Sequence, residues 1–123
     1  PKLPDIFIKL IPGHLYLPFI RDPSDETILA AINDTDIPLT MVKNQTHDAV
    51  GAAVIKNHYA FLEIKNLTDD MIMTAVKANP MVLSFVKNQT DDIVMAAVNS
   101  NKLSLKFVKD EKLKKRIEQK LNI

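Results

Sequence analysis

The sequence contains no cysteine and only two glycines among its 123 residues. The absence of cysteine excludes disulfides, thiol nucleophiles and thiolate metal sites. The two glycines, Gly13 and Gly51, are too few for a glycine-rich phosphate-binding loop. The three histidines, His14, His47 and His58, lack metal-ligand spacing, and no Ser-His-Asp order is present. The sequence therefore predicts a protein that is not an enzyme and that uses no cofactor and no metal.

Long apolar runs are also missing. No run approaches the roughly 18 residues of a membrane span, and no basic-then-apolar leader precedes residue 20. With the lack of cysteine, this predicts a cytoplasmic protein with no membrane partner. The net charge is only +1, and residues 109–123 carry six Lys/Arg against three Asp/Glu. Such a small net charge predicts no strong attraction to phosphates.

A 22-residue block recurs four times without insertion, as 21–42, 43–64, 65–86 and 87–108. A fixed period of this length is typical of a repeat array, in which each unit buries its apolar face against its neighbours. Position 4 of the block carries a hydroxyl and is followed by acidic side chains, the pattern of a helix N-cap and first turn. The predicted N-caps are Ser24, Thr46, Thr68 and Thr90.

Positions 8, 11 and 12 of the block are β-branched, Ala and β-branched, which places one apolar stripe on a helix face. Val50, Ala53 and Val54 show the pattern. Three of the four blocks have Asn at position 15, and we expect this residue to end the helix in the left-handed conformation. The first half of each block is therefore a predicted α-helix.

The second half of each block, positions 16 to 22, admits two interpretations. Apolar residues at positions 17, 19 and 21 alternate as in a strand, which would give an α/β strand-helix horseshoe. Positions 17 with 21 and 18 with 22 are also helical pairs, and Pro80 suits a helical first turn. We favour a short buried helix, hence an all-α fold, a short α-solenoid of stacked two-helix repeats.

Both ends of the array read as caps. Residues 1–20 continue the pattern as an N-terminal cap and partial repeat, although Pro12 and Gly13 interrupt it. Residues 109–123 predict a basic capping helix whose apolar positions are Leu113, Ile117 and Leu121. Residues 1–123 are thus predicted to form a single repeat domain.

The runs KNQTDDIVMAAVNSN and KNLTDDMIMTAVKANPMVLSFV resemble the short repeats of a domain-of-unknown-function family that is common in giant viruses, phages and some bacterial effectors. The resemblance covers about residues 14–108 and rests on the Asn-x-Thr start, the central Ala-Val pair and the following Asn. The chain departs from the family where a glycine usually precedes the second helix. The resemblance implies an all-α array and a viral or host-directed role, and it implies no catalytic residue.

Two columns of charge run along the repeats. The acidic first turns could stack, but dipole stabilisation explains them without a metal. One cation begins each block, and this ladder together with the basic C-terminal helix could follow a nucleic-acid backbone or an acidic partner. The predicted contacts are Lys43, Lys65, Lys87, Lys109, Lys112, Lys115 and Arg116.

The second block departs most from the common pattern. His47, Gly51 and Ile55 lie at i, i+4 and i+8 of the predicted helix, so that an exposed isoleucine would flank a missing side chain. Tyr59 could border this notch, and Glu63 replaces an apolar residue. Ordinary drift of one unit would look the same. These five residues are the predicted partner-binding site.

Stacked helices offer a broad preformed surface, and such surfaces bind proteins more often than they perform chemistry. We therefore expect a non-catalytic protein-binding module, a phage or viral protein that binds and modulates a protein of the host cell, in the host cytoplasm. The alternative is a nucleic-acid-associated protein that uses the lysine ladder and the basic C-terminal helix.

Overall fold

A computed structural model of the chain describes residues 23–35 and 37–122. Within these ranges the structure is helical and contains no β-strand, which confirms the all-α fold and rules out the strand-helix horseshoe. In the described part of the chain, five α-helices alternate with four 3₁₀ helices. The α-helices are α1 (Asp25–Asp34), α2 (His47–Lys56), α3 (Asp69–Ala78), α4 (Asp91–Ser100) and α5 (Glu111–Leu121). The 3₁₀ helices are η1 (Leu39–Met41), η2 (His58–Glu63), η3 (Pro80–Phe85) and η4 (Lys102–Phe107).

The helices form two layers. Helices α1 to α4 pack against one another in chain order, and the 3₁₀ helices do the same beside them. Each unit is thus an α-helix followed by a 3₁₀ helix, an arrangement compatible with a short helical solenoid. The predicted apolar stripe lies between the layers, where Val50, Val54 and Val76 are fully buried. Ala75 and Ala97 are also fully buried, and their small side chains let neighbouring helices approach closely.

The predicted N-caps are confirmed in all four units. Ser24, Thr46, Thr68 and Thr90 each accept a hydrogen bond on the side-chain oxygen from the backbone N–H three residues later. Each hydroxyl therefore satisfies one of the first helical N–H groups, which have no intrahelical acceptor.

The prediction for the asparagine at position 15 is wrong. Asn57, Asn79 and Asn101 have φ of −154°, −146° and −156°, which is extended backbone and not the left-handed conformation. The reason is that each asparagine joins two helices. It ends the α-helix, and its side-chain oxygen accepts from the N–H two residues later at the start of the next 3₁₀ helix, at 3.0 to 3.1 Å.

The second half of each unit is helical, as predicted, but of the 3₁₀ type. The buried residues of this segment are mainly those at positions 18, 19 and 22, which in the third unit are Val82, Leu83 and Val86. The second segment was predicted to be a buried helix. In the structure Met81 and Leu103, at position 17 of their units, are exposed, as is Tyr59, whereas Ile37 at the same position of the first unit lies before η1 and is buried. A tighter helix turns position 17 outward once positions 18 and 19 are packed inward.

Helix α5 follows the last unit and is capped by Asp110, whose carboxylate accepts from the N–H of Lys112 and Leu113. Leu113 and Ile117 are buried, whereas the remaining face is polar. The predicted N-terminal cap, 1–20, lies outside the described residues. None of the helices in 23–35 and 37–122 is both long and apolar enough to cross a bilayer.

Candidate partner-binding surface

The 3₁₀ layer carries a column of exposed apolar side chains. Tyr59, Met81 and Leu103 stand at position 17 of successive units, with 58%, 37% and 69% of their surface exposed. The asparagine that precedes each 3₁₀ helix holds the backbone N–H of this residue, so all three side chains leave the layer at the same point of their helices. The column is therefore shared by the second, third and fourth units, whereas Ile37 at the same position of the first unit is buried.

An aromatic cluster lies beside this column. The ring of Phe85 is 5.4 Å from that of Tyr59, 5.6 Å from that of His58 and 6.4 Å from that of Phe61. The rings of His58 and Tyr59 stack at 4.4 Å. Because ring centroids 4.5–7 Å apart are in favourable contact, Phe85 ties the 3₁₀ helices of the second and third units together. Tyr59 is thus an exposed aromatic residue whose ring contacts those of His58 and Phe85.

An apolar groove lies next to Phe85. It encloses about 380 Å³, and its walls include the exposed side chains of Leu62 and Leu67. Phe61 and Phe85 form its inner wall, and Lys87 lies at its edge. The groove runs between the second and third units, at the junction of η2 and η3.

The other described unit junctions of the same kind are closed by a glutamine at position 3 of the block. Gln45 donates from Nε2 to the carbonyls of Leu39 and Glu63, at 3.0 and 3.1 Å, and its Oε1 accepts from Lys65 N–H at 2.8 Å. We name this arrangement the glutamine bridge. It joins a carbonyl of the preceding unit, a carbonyl of the same unit and the first N–H of the next unit.

Gln89 makes the second glutamine bridge on equivalent atoms. Its Nε2 donates to the carbonyls of Leu83 and Phe107, at 3.1 and 3.0 Å, and its Oε1 accepts from Lys109 N–H at 2.9 Å. Between these two units the third block carries Leu67 at position 3. A leucine cannot make the bridge, and the groove lies where the bridge would be.

Two of the five predicted partner-binding residues make side-chain hydrogen bonds inside the protein. His47 Nδ1 lies 2.5 Å from Thr74 Oγ1 on the next α-helix. Glu63 accepts from Leu39 N–H at 2.6 Å. The first unit has Thr35 instead of the capping asparagine, and Pro38, which precedes η1, makes no side-chain cap bond, so Glu63 supplies the acceptor from the neighbouring unit.

Gly51 does not open the expected notch. It is buried, and a Cβ at this position would lie 3.9 Å from the Cβ of Ala78 on α3. Its missing side chain therefore lies at the contact between α2 and α3. Ile55 and Tyr59 are exposed as predicted, Ile55 with 64% of its surface in contact with solvent, and His47 is exposed as well.

We predict that Gly51→Ala raises the free energy of unfolding by about 0.5–1 kcal/mol. A mid-helix glycine is less favourable than alanine by about 1 kcal/mol. The added methyl group would meet Ala78 at ordinary van der Waals distance. Urea unfolding followed by circular dichroism measures the change, and Ala52→Gly on the same helix should give the opposite sign. A destabilised Gly51→Ala protein would show that the two helices need the closer approach.

All seven predicted cationic residues are exposed, but two of them have partners within the protein. Lys65 Nζ donates to the carbonyl of Val42 at 3.3 Å. Arg116 pairs with Asp91 at 3.6 Å, with both side chains mostly exposed. The other five predicted cations are Lys43, Lys87, Lys109, Lys112 and Lys115, all exposed. In the described part of the chain no three His, Cys, Asp or Glu residues are placed to hold a metal ion.

Sequence reasoning missed Leu62, Leu67, Phe85, Met81 and Leu103 as surface residues. Met81 and Leu103 were read as buried because they share the apolar character of the second segment. The sequence does show that Leu67 departs from the repeat, because glutamine occupies the same position in the units before and after it. Its meaning depends on hydrogen bonds between units, which the sequence does not display.

Comparison with known proteins yields one match. Residues 68–114 are similar to the family model described as domain of unknown function (DUF4116). The matched segment begins at the N-cap of α3 and extends into α5. No curated protein and no solved structure matches the chain.

Proposed function

We propose that this chain is a non-catalytic helical-repeat module that binds another protein through its 3₁₀ layer. The observation that carries the proposal is the exposed column of Tyr59, Met81 and Leu103. Apolar side chains at one position of consecutive packed helices form a patch, and exposed patches mark interaction sites more often than isolated exposed residues do. The aromatic cluster around Phe85 adds the rigid, large side chains that dominate binding energy at interfaces.

The proposal extends to the kind of partner. The resemblance of the repeats to a family common in viruses and phages supports a protein of a host cell as the partner, bound in the cytoplasm. A rigid array of packed units suits this role, since it presents its surface without having to be ordered on binding.

Three single substitutions test the proposal. Ile55→Asp, Tyr59→Asp and Leu103→Asp each place a charge on an exposed apolar position, and the last two lie in the column itself. We expect Tyr59→Asp and Leu103→Asp to reduce capture of specific proteins from lysate of the cell in which the protein acts by about tenfold or more, as loss of an interface anchor does. Ile55→Asp reports whether the surface extends to the end of α2. Circular dichroism melting verifies that each variant is folded.

The nucleic-acid alternative gives the opposite pattern in the same experiment. Lys43→Asp is the matched control, because it introduces the same side chain at an exposed cation of the ladder that does not line the groove. Capture that survives nuclease and Lys43→Asp but not Leu103→Asp supports a protein partner. Capture that nuclease abolishes, or that fails in Lys43→Asp alone, would assign the lysine ladder to a nucleic acid and overturn the proposal.

A further inference from the structure

The groove at Leu67 lacks the three hydrogen bonds that a glutamine bridge makes at each of the other two junctions. In the two bridged junctions one carboxamide serves three backbone groups at once, two carbonyls as a donor and one N–H as an acceptor. The equivalent atoms at Leu67 are the carbonyls of Phe61 and Phe85 and the N–H of Lys87. All three of these residues line the groove.

The three backbone groups have capacity for an additional partner. Among the described residues, Phe61 C=O accepts only from Ile64 N–H, at 3.3 Å, whereas the equivalent carbonyls of Leu39 and Leu83 each accept a second bond from a bridging glutamine. Among residues 23–35 and 37–122, nothing donates to Phe85 C=O or accepts from Lys87 N–H. Backbone groups in a partly apolar groove are most stable when they are paired.

We propose that the groove at Leu67 binds the side chain of a glutamine presented by a partner polypeptide. The carboxamide NH₂ would donate to the carbonyls of Phe61 and Phe85, and its oxygen would accept from Lys87 N–H. The two methylenes of the glutamine would lie against Leu62 and Leu67. The partner's glutamine would thus make the same three hydrogen bonds that Gln45 and Gln89 make at the other two junctions.

The size and polarity of the groove fit this occupant. Its volume of about 380 Å³ exceeds the roughly 30 Å³ share of one water many times, so a side chain can enter. Leu67 stands at the wall with 48% of its surface exposed, so it does not fill the space. A glutamate of the same shape would place a carboxylate oxygen against two carbonyls, and a methionine would leave all three groups unpaired.

This inference rests on the proposed function in that the partner is a protein, but it concerns a separate site. The groove is lined by Phe85 but not by Tyr59, Met81 or Leu103, the three residues of the column. Loss of capture in the column variants and loss of glutamine binding at Leu67 are therefore independent results.

The test is a titration of the full, ¹⁵N-labelled chain with the blocked peptide Ac-Leu-Gln-Leu-NHMe, followed by nuclear magnetic resonance. We expect a saturable downfield shift of the Lys87 backbone amide. The matched peptides with glutamate or methionine at the centre should bind about tenfold or more weakly, because they lose donors to the two carbonyls.

Two variants at one position complete the design. Leu67→Gln should build the internal bridge and abolish the shift caused by the glutamine peptide, whereas Leu67→Met keeps an apolar, donor-free side chain and should retain it. Equal binding of the three peptides, or undiminished binding to Leu67→Gln, would overturn the proposal. A Lys87 shift that appears with protein concentration alone and disappears in Leu67→Gln would assign the groove to a second copy of this chain and would overturn the partner named here.

Discussion

Leu83→Ala is expected to lower the free energy of unfolding by about 2–5 kcal/mol. Leu83 lies in η3 and is fully buried between the two layers. The substitution removes buried methyl and methylene groups and leaves a cavity that the surrounding helices fill only in part. Because each unit is stabilised mainly by its neighbours, the loss should weaken the whole array. Urea unfolding followed by circular dichroism measures it.

Leu62→Ala is the matched control for this prediction. It makes the same chemical change in the neighbouring 3₁₀ helix, but Leu62 has 64% of its surface exposed. The expected change is within about 0.5 kcal/mol, as for other surface substitutions. Similar losses for the two leucines would mean that the burial of the 3₁₀ layer differs from the one described.

Gln89→Leu is expected to cost roughly 1.5–4.5 kcal/mol of unfolding free energy. The substitution copies into the fourth unit the residue that the third unit carries at Leu67. It removes the bonds to Leu83 C=O, Phe107 C=O and Lys109 N–H, each worth about 0.5–1.5 kcal/mol net. The same urea titration measures the loss.

Two further variants separate the hydrogen bonds from packing. Gln89→Glu has the same shape, but its carboxylate cannot donate to the two carbonyls and should therefore not restore stability. The reciprocal change Leu67→Gln should raise the unfolding free energy, because the third unit gains the bridge. If Gln89→Glu were as stable as the parent protein, or if Leu67→Gln were destabilised, the bridge would not contribute as described.

The first half of each unit could be predicted in detail from the sequence. A hydroxyl at position 4 and an apolar stripe at positions 8, 11 and 12 depend only on local geometry. Both predictions hold from Thr46 to Val98, except that Ile72 at position 8 of the third unit is only half-buried. The second half could be predicted only as helical. A 3₁₀ helix and an α-helix share most of their apolar spacing over six residues, so the exposure of Met81 and Leu103 was not predicted.

The candidate site was predictable only in part for a similar reason. A departure from the repeat pattern shows that a residue is different, but not whether it faces solvent or a neighbouring unit. His47 and Glu63 form hydrogen bonds with residues of adjacent units, and Gly51 lies buried beside Ala78. Ile55 and Tyr59 remained at the surface. The column and the groove arise from several units together.

The sequence by itself determined the period, the start of each α-helix and the apolar face of each helix, because these follow from the chemistry of residues a few positions apart. The tertiary structure alone decided which apolar side chains stay exposed and which backbone groups remain unpaired. Gln45 and Leu67 occupy the same position of two successive units. Only the packing of successive units shows that the first closes a junction and the second leaves a groove.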